Sequence, residues 1–589
     1  MALNILGINA FHGDSSAALF TDGCLVAAVE EERFLRVKHW AGLPLLSIRE
    51  CLRSGGLDKV DHIAISRNPR AHLWRKAVRA AVRPRQWKRA GQRARNGWRI
   101  TNLGSDLRSG GFDPRCARVH FVEHHRAHLA SAFFCSPFER AAVVSVDGFG
   151  DFSSVMWGVG AGSQIKILGS VLFPHSLGAY YTAFTQFLGF PKYGDEYKMM
   201  GLAAYGEPAF RNKVRDVVSV KDGRCRLNLS YFTHHILGVD MTWEGEEPVV
   251  GRLFSNAMCD TFGPPRTPRA EVTQKHADLA ASVQAVLEES YFSLLNYIHK
   301  QTDEMNLCLA GGVALNCAAN GKICEQTPFR QFYVQPAAHD AGTSIGAALY
   351  VQHEVLRRPR SFVMKHVYYG PQYDDSQIQD EFARAGVTGH RLNEEELVSR
   401  TAHAIAQQKI LGWFQGRMEF GPRALGNRSI LADPRNKAMK DILNSRIKYR
   451  EPFRPFCPSI LDEARGDYFE TDAAAPFMVT AYRIRPEQRE RIPAVTHADG
   501  TGRVQTVERE SNPLYWRLIK RFSEITGVPI LLNTSFNENE PIVNSPREAL
   551  DCFLRTQMDA LVMGSYFISK AEDARLVANR HPLAAAKPV

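Results

Sequence analysis

No apolar run in the sequence approaches the length that crosses a bilayer, and Met1-Ala2-Leu3-Asn4-Ile5-Leu6 has no basic stretch ahead of its apolar residues. Neither a transmembrane segment nor a secretory leader is expected, and a cytoplasmic protein is. The eleven cysteines, scattered from Cys24 to Cys552, contain no Cys-x-x-Cys pair and are odd in number. That argues against a disulfide framework and a paired-cysteine zinc site, leaving reduced core thiols. Internal repeats and low-complexity stretches are missing as well. What remains is an ordinary globular composition, 44% hydrophobic and 23% charged over 589 residues. This is more chain than one core usually serves, so two large domains are expected.

A further absence is local. Between Trp74 and Ile100 there is no acid but there are ten lysines and arginines, from Arg75 to Arg99, against a net charge of +11 for the whole chain. The basicity that could suggest nucleic acid is therefore a feature of one segment. Residues 71–100 read as two short helices broken at Pro84, with Trp74, Trp87 and Trp98 available to pack or to touch a partner. A solvated helical flap is one reading; contact with an anionic acceptor, a membrane surface or RNA is the other.

Hydrophobic patterning predicts a mixed α/β chain. A strand over 3–9 leads through a small polar turn to paired strands at 17–20 and 25–29, joined at Asp22-Gly23. Further strands are expected at 119–122, 142–146, 155–159 and 165–168. A long amphipathic helix over 273–301 then enters a strand at 306–309 and a glycine turn. The charged stretch Arg357-Arg358-Pro359-Arg360-Ser361 marks a boundary. Residues 1–356 are expected to form one domain, 357–366 a linker, 367–570 a second domain and 571–589 a loosely held tail. The second domain reads as strands at 410–414, 529–532 and 560–562 with helices over 393–408 and 512–525.

Several motifs carry chemistry. His124 and His128 stand four apart, so on a helix both imidazoles face the same way and can hold a divalent metal; two packed histidines would show the same spacing. Asp147 ends an apolar strand and Asp340 precedes a helix, where α/β proteins place metal and nucleotide carboxylates and also ordinary caps. Gly311 and Gly312 lie between a strand and a helix, where backbone N–H groups can meet phosphate. In the second domain, Gln415 to Ser429 packs three arginines and three glycines into one loop, and Arg446, Lys448, Arg450 and Arg454 follow. Guanidinium forks and glycine N–H groups suit a phosphate-bearing ligand, and a surface charge cluster is the alternative.

In combination these motifs resemble the NodU/CmcH carbamoyltransferase family. The resemblance rests on Gly7-Ile-Asn9, Asp14-Ser-Ser-Ala-Ala-Leu, Val29-Glu-Glu-Glu-Arg33-Phe, Lys38-His39, His124-x-x-x-His128, Val146-Asp147-Gly and Lys198-Met-Met-Gly201. It continues through Ala310-Gly-Gly-Val-Ala-Leu-Asn316, Asp340, Gly421-Pro-Arg423-Ala-Leu-Gly-Asn-Arg-Ser and Leu532-Asn533-Thr-Ser535. It implies a Kae1-like N-terminal domain of the actin, sugar-kinase and Hsp70 superfamily followed by a YrdC-like C-terminal α/β domain. By the same resemblance His124, His128, Asp147 and Asp340 would hold iron or another divalent metal against ATP, with Gly311, Gly312 and Asn316 lining the nucleotide. His12 and Lys38 would stand beside the reacting carbamoyl group, one to take a proton and one to offset negative charge. Arg423, Lys448, Arg454, Arg503 and Asn533 would bind carbamoyl phosphate, with Ser535 a further candidate.

The implied reaction makes carbamoyl adenylate from ATP and carbamoyl phosphate and passes the carbamoyl group to a hydroxyl. The expected acceptor is a small molecule: a sugar, a glycoside or an antibiotic scaffold. The motifs that match serve the donor, so the acceptor is unassigned, and the basic segment is the first place to look for it. A homodimer is compatible with this reading and a nucleic-acid partner is not expected. The competing readings are a tRNA threonylcarbamoylation enzyme, which the basic segment would suit, and a nucleotide-dependent binder that kept the fold without the chemistry.

Overall fold

The computed structural model describes residues 2–82, 99–109, 112–239 and 247–572. Pro84, Trp87 and Trp98 of the basic segment, and nearly all of the tail, lie outside the described residues. The chain divides into two compact units, Met1–Met364 and Lys365–Val589. Among the described residues no helix is long and apolar enough to cross a membrane.

The first unit is built on two five-stranded sheets of the same layout. In the first, Cys24–Glu30, Ser16–Thr21 and Asn4–Asn9 form an antiparallel meander, and His62–Ile65 and Arg118–Phe121 extend it in parallel on the Asn4–Asn9 side. In the second, Gln164–Leu172, Ser153–Ala161 and Arg140–Gly150 form the meander, and Asn306–Ala310 and Gln331–Val334 extend it in parallel. The unit therefore repeats a sheet plan that the sequence, free of recognisable repeats, does not betray. Side-chain identity is unconstrained along most of a strand provided the apolar pattern persists, so topology outlasts sequence similarity.

Two helices bring the sheets together. His124–Phe133 packs on Arg140–Gly150 and Asn306–Ala310, while Gly342–Tyr350 packs on Asn4–Asn9 and Ser16–Thr21, and the two helices lie against each other. Both are buried nearly all round, as expected of a helix with sheet on one side and helix on the other. Their contact depends on Gly346, where a Cβ would collide with the carbonyl oxygen of Ala127. This crossing places the start of one helix beside the first two turns of the other.

The second unit carries one eight-stranded mixed sheet in the order His390–Arg391, Tyr566–Ser569, Ala560–Met563, Leu411–Phe414, Arg428–Ala432, Ile530–Ser535, Cys457–Leu461 and Gln505–Val507. Pro513–Thr526 buries Tyr515, Leu518, Ile519 and Phe522 toward Ile530–Ser535 and Cys457–Leu461. Trp413 is fully buried in the same core and donates its indole N–H to the Gly426 carbonyl at 2.8 Å. That bond ties the core to the glycine-rich loop. The predicted helices over 393–408 and 512–525 are found as Glu394–Ala406 and Pro513–Thr526, the first opened by a reciprocal cap between Asn393 and Glu396.

Candidate active site

Four side chains meet where the two crossing helices approach the second sheet. His124 and His128 project from one face of His124–Phe133, Asp147 from the strand Arg140–Gly150, and Asp340 from the turn before Gly342–Tyr350. All four are buried, and one ligand atom from each lies within 4.8 Å of the others. The two Nε2 atoms are 3.0 Å apart, and His124 Nε2 is 3.4 Å from Asp147 Oδ2 and from Asp340 Oδ1. His128 Nε2 is 3.5 Å from Asp340 Oδ1 and 3.9 Å from Asp147 Oδ2. Metal–ligand bonds of about 2.0–2.2 Å separate neighbouring ligands by roughly these distances.

The electrostatics also suit a cation. Burial alone pushes both imidazoles down; the carboxylates of Asp340 and Asp147 reverse this for His124 but not for His128. Burial would raise Asp340, yet His12 and His124 outweigh it and hold the carboxyl well below the usual range. Two buried carboxylates and two imidazoles are a donor set that a divalent ion of several kinds would neutralise. The third histidine of the motif, His125, points elsewhere and pairs with Ser145 Oγ at 2.8 Å.

Surrounding groups hold these donors in place. Gly312 N–H donates to Asp147 Oδ1 at 2.8 Å, leaving Oδ2 toward the histidines. Asp151 Oδ2 accepts from the His124 N–H at 3.0 Å and so caps the helix. His12 Nδ1 bonds to Asp340 Oδ2, so Asp340 serves the histidine pair through one oxygen and His12 through the other. The His12 turn is secured by Asn9 Nδ2, which donates to the Gly13 and Asp14 carbonyls, both at 3.0 Å.

Behind His12 lies a second set of charges. His39 Nδ1 pairs with Asp14 Oδ1 at 2.7 Å, and the His39 N–H donates to Glu32 Oε2 at 2.7 Å. Arg33 spans Glu30 and Glu32, and Glu30 faces His339 Nε2 at 3.3 Å. Glu31 acts instead on the backbone, its carboxylate accepting from the Leu46 and Ser47 N–H groups at the start of Leu45–Gly55. Lys38 is half-buried in the same return segment, next to His39.

The glycine turn differs from its expected geometry. Gly311 has φ +91, and a Cβ there would strike the backbone of Val146, which explains the residue. Its N–H donates to the Ala338 carbonyl at 2.7 Å, and that of Gly312 to Asp147, so both are engaged within the protein. A 3₁₀ turn, Gly312–Leu315, and a four-residue helix, Cys317–Asn320, follow in place of the long helix that would aim a dipole at phosphate. The Asn316 amide is exchanged reciprocally with Gln284 at 3.0 Å in each direction.

In the second unit the glycine-rich loop is organised by a buried carboxylate. Glu419 Oε1 accepts from the N–H groups of Leu425, Asn427 and Arg428 at 2.8, 2.8 and 3.1 Å. Arg428 is fully buried, donates to the Gln415 and Asn427 carbonyls and lies over the Phe414 ring; Arg417 donates to the Tyr369 and Gly370 carbonyls. Two of the loop's three arginines are thus structural. Arg423 is half-buried, and the carbonyl of the next residue, Ala424, accepts from Asn533 Nδ2 at 3.3 Å. Asn533 Nδ2 also bonds Ser459 Oγ and Gln505 Oε1.

Arg503 lies against the sulfur of Cys457, the cross-strand neighbour of Asn533, with Nη2 at 2.9 Å. Lys448 is buried, and its ammonium donates to the Ser535 carbonyl at 2.6 Å and to the Asn537 carbonyl and Oδ1, each at 2.7 Å. Burial, reinforced by the positive charges of Arg450 and Arg454, drives the Lys448 pKa well below the ordinary lysine value. A buried lysine perturbed in this way, beside two guanidinium groups, marks a candidate functional site. Arg454 is held by Glu451 at 3.5 Å.

The family models for the carbamoyltransferase N-terminus and C-terminus match residues 4–95 with 114–349, and 402–570. The chain belongs to the carbamoyltransferase family. A protein of Synechocystis sp. described as uncharacterized is 40% identical, over 96% of this chain and 97% of its own. Nodulation protein NolNO of Sinorhizobium fredii is 39% identical over 95% of this chain and 80% of its own. The 3'-hydroxymethylcephem-O-carbamoyltransferase of Amycolatopsis lactamdurans is 31% identical over 65% and 66%.

As a carbamoyltransferase, the chain is a transferase with a mixed α/β fold. Sequence reasoning about this carbamoyltransferase missed Glu419, Asn537, Gln505 and the Asp14–His39 pair. Their neighbours stood in recognisable motifs, but nothing in a linear pattern shows that a glutamate is turned inward to collect backbone N–H groups.

Proposed function

We propose that the chain is an ATP-dependent O-carbamoyltransferase. In this reading Met1–Met364 is a Kae1-like unit that holds metal and nucleotide, and Lys365–Val589 is a YrdC-like unit that holds carbamoyl phosphate. The observation that carries it is Asp340, which faces His124 and His128 through Oδ1 and His12 through Oδ2 in a member of the carbamoyltransferase family. That arrangement joins a cation-ready cluster to a histidine that can meet an acceptor hydroxyl.

The proposed chemistry has two parts. Carbamoyl phosphate gives up its phosphate to water, and a carbamate oxygen then displaces pyrophosphate from the α-phosphorus of ATP, giving carbamoyl adenylate. An acceptor hydroxyl next attacks the carbamoyl carbon and AMP leaves. A divalent metal, with Fe²⁺ preferred, would be held by His124, His128, Asp147 and Asp340 and would supply Lewis acidity toward phosphate or carbonyl oxygen.

The chain's own residues would do the rest. Arg423, Arg454 and Arg503 would meet the donor's phosphate with guanidinium forks, and Asn533 would bind the carbamoyl group. Lys448, with its donors committed to Ser535 and Asn537, would fix that turn and add positive potential. Gly311, Gly312 and Asn316 would line the nucleotide through close approach. His12, oriented by Asp340, would take the hydroxyl proton while Lys38 offsets developing negative charge. The acceptor class, a hydroxyl of a sugar or natural product, follows the cephem O-carbamoyltransferase relative.

Incubated with divalent metal, ATP and carbamoyl phosphate, the chain should release pyrophosphate and form carbamoyl adenylate visible by mass spectrometry. Arg423→Ala should abolish adenylate formation. Metal-loaded protein that makes no adenylate would sink the reading.

A further inference from the structure

Asn533 stands between two of the arginines assigned to the donor. Its cross-strand neighbour Cys457 holds Arg503 through sulfur, and its Nδ2 donates to the carbonyl of Ala424, the residue after Arg423. A carboxamide offers a donor at one end and an acceptor at the other, and the groups behind it decide which end a ligand meets. Gln505 Nε2 donates at 2.8 Å to the Leu425 carbonyl, a group that can only accept. This turns Gln505 Oε1 toward Ser459 Oγ and Asn533 Nδ2, at 2.7 and 3.1 Å. Asn533 Nδ2 bonds Ser459 Oγ at 3.0 Å as well, and the Ala424 carbonyl at 3.3 Å is a second group that only accepts. A flipped Asn533 would set its own oxygen against the Ala424 carbonyl and Gln505 Oε1. Nδ2 is therefore committed inward, and Oδ1 is left buried without a hydrogen-bond partner. The Tyr515 hydroxyl stands beside Ser459 and Asn533 and does not take up that oxygen.

We propose that Gln505 and Ser459 are positioning residues that set donor specificity, by presenting Asn533 Oδ1 to the ligand as a hydrogen-bond acceptor. The site then takes an acyl phosphate whose carbonyl carbon bears an amino group and rejects the same anhydride bearing a methyl group. This inference rests on the reading of Lys365–Val589 as the carbamoyl-phosphate unit. Guanidinium groups that meet the phosphate cannot tell one acyl phosphate from another, so discrimination has to come from the acyl end. Amino and methyl groups differ little in size, and shape alone separates them poorly. A buried acceptor does separate them, because an N–H satisfies it and a methyl group leaves it unpaired. The opposite amide orientation would present Nδ2 and favour a ligand oxygen.

The test is calorimetric titration of the full chain with carbamoyl phosphate, acetyl phosphate and inorganic phosphate. The parent is expected to bind carbamoyl phosphate about tenfold or more tightly than acetyl phosphate. Gln505→Met, which keeps the side-chain length and removes both polar atoms, should reduce that ratio to about threefold or less by weakening carbamoyl phosphate alone. Ser459→Ala, with a smaller change in the core, should show the same selective loss at about threefold, and decides the matter if Gln505→Met does not fold. Equal binding of the two acyl phosphates by the parent would overturn the proposal and leave the donor site standing. So would variants that keep the parent's ratio, or that weaken all three ligands alike, since either outcome makes Gln505 and Ser459 purely structural. A parent that binds none of the three would remove the donor-site reading itself, and the inference with it.

Discussion

His39 shows how a single residue near the candidate site can be given a measurable signature. Burial alone would lower its pKa, but the Asp14 carboxylate in contact with it and the nearby Glu32 outweigh burial and the opposing Lys38, raising it from 6.5 to about 9. Folding therefore favours the protonated ring. Its contribution to stability is complete below pH 6.5 and disappears as the native state also releases the proton, through pH about 9. Denaturant unfolding of the parent and His39→Gln should show a difference that is constant at lower pH and shrinks across that window. A difference independent of pH would mean that His39 contributes only packing. His39 stands beside Lys38 in a recognisable motif, yet its partner Asp14 is twenty-five residues away, and only the pairing of the first turn with the return segment brings them together. The two histidines of His124-x-x-x-His128 were legible for the opposite reason, since a spacing of four fixes their shared direction on any helix.

The glycine-rich loop of the second unit illustrates the same limit for an element. Its arginines announce charge, but the structure assigns two of them to backbone carbonyls and lets Glu419 hold the loop's shape. Glu419→Gln keeps the volume but loses the charge that strengthens three N–H bonds and turns an amide donor toward them or away from partners. It should cost about 1–3 kcal/mol of stability and weaken donor binding, checked by denaturant unfolding and by carbamoyl phosphate titration. Unchanged stability would show that the loop is held by Arg428 and Trp413 alone. Long apolar strands and capped helices in both units were legible within one to four residues at their ends, as with Asn306–Ala310 and Glu394–Ala406. Four-residue strands were legible unevenly: Leu411–Phe414 and Ala560–Met563 were anticipated and His62–Ile65 and Gln331–Val334 were not, since four residues leave periodicity little room to separate strand from loop.

For the whole molecule, the repeated sheet plan of the first unit and the mixed sheet of the second emerge only from pairing, which no local window records. The resemblance to a family supplied what patterning could not, a pairing of donors from distant segments in His124, His128, Asp147 and Asp340. The hydrophobic core of the second unit draws its buried residues from Ile378 to Ile568, while that around the first sheet runs from Leu6 to Phe112. Units with separate cores predict more than one unfolding transition, with a calorimetric enthalpy above the van't Hoff value. A ligand at one hundred times its Kd stabilises the unit that binds it by about 2.7 kcal/mol, which moves a transition by roughly 5–10 °C for Lys365–Val589 and by only about 3–4 °C for the larger Met1–Met364. Divalent metal should raise one transition and carbamoyl phosphate the other, whereas Asp147→Asn should remove the first response and Arg423→Ala the second. Calorimetry in which both ligands move one common transition would contradict the assignment of metal and donor to different units.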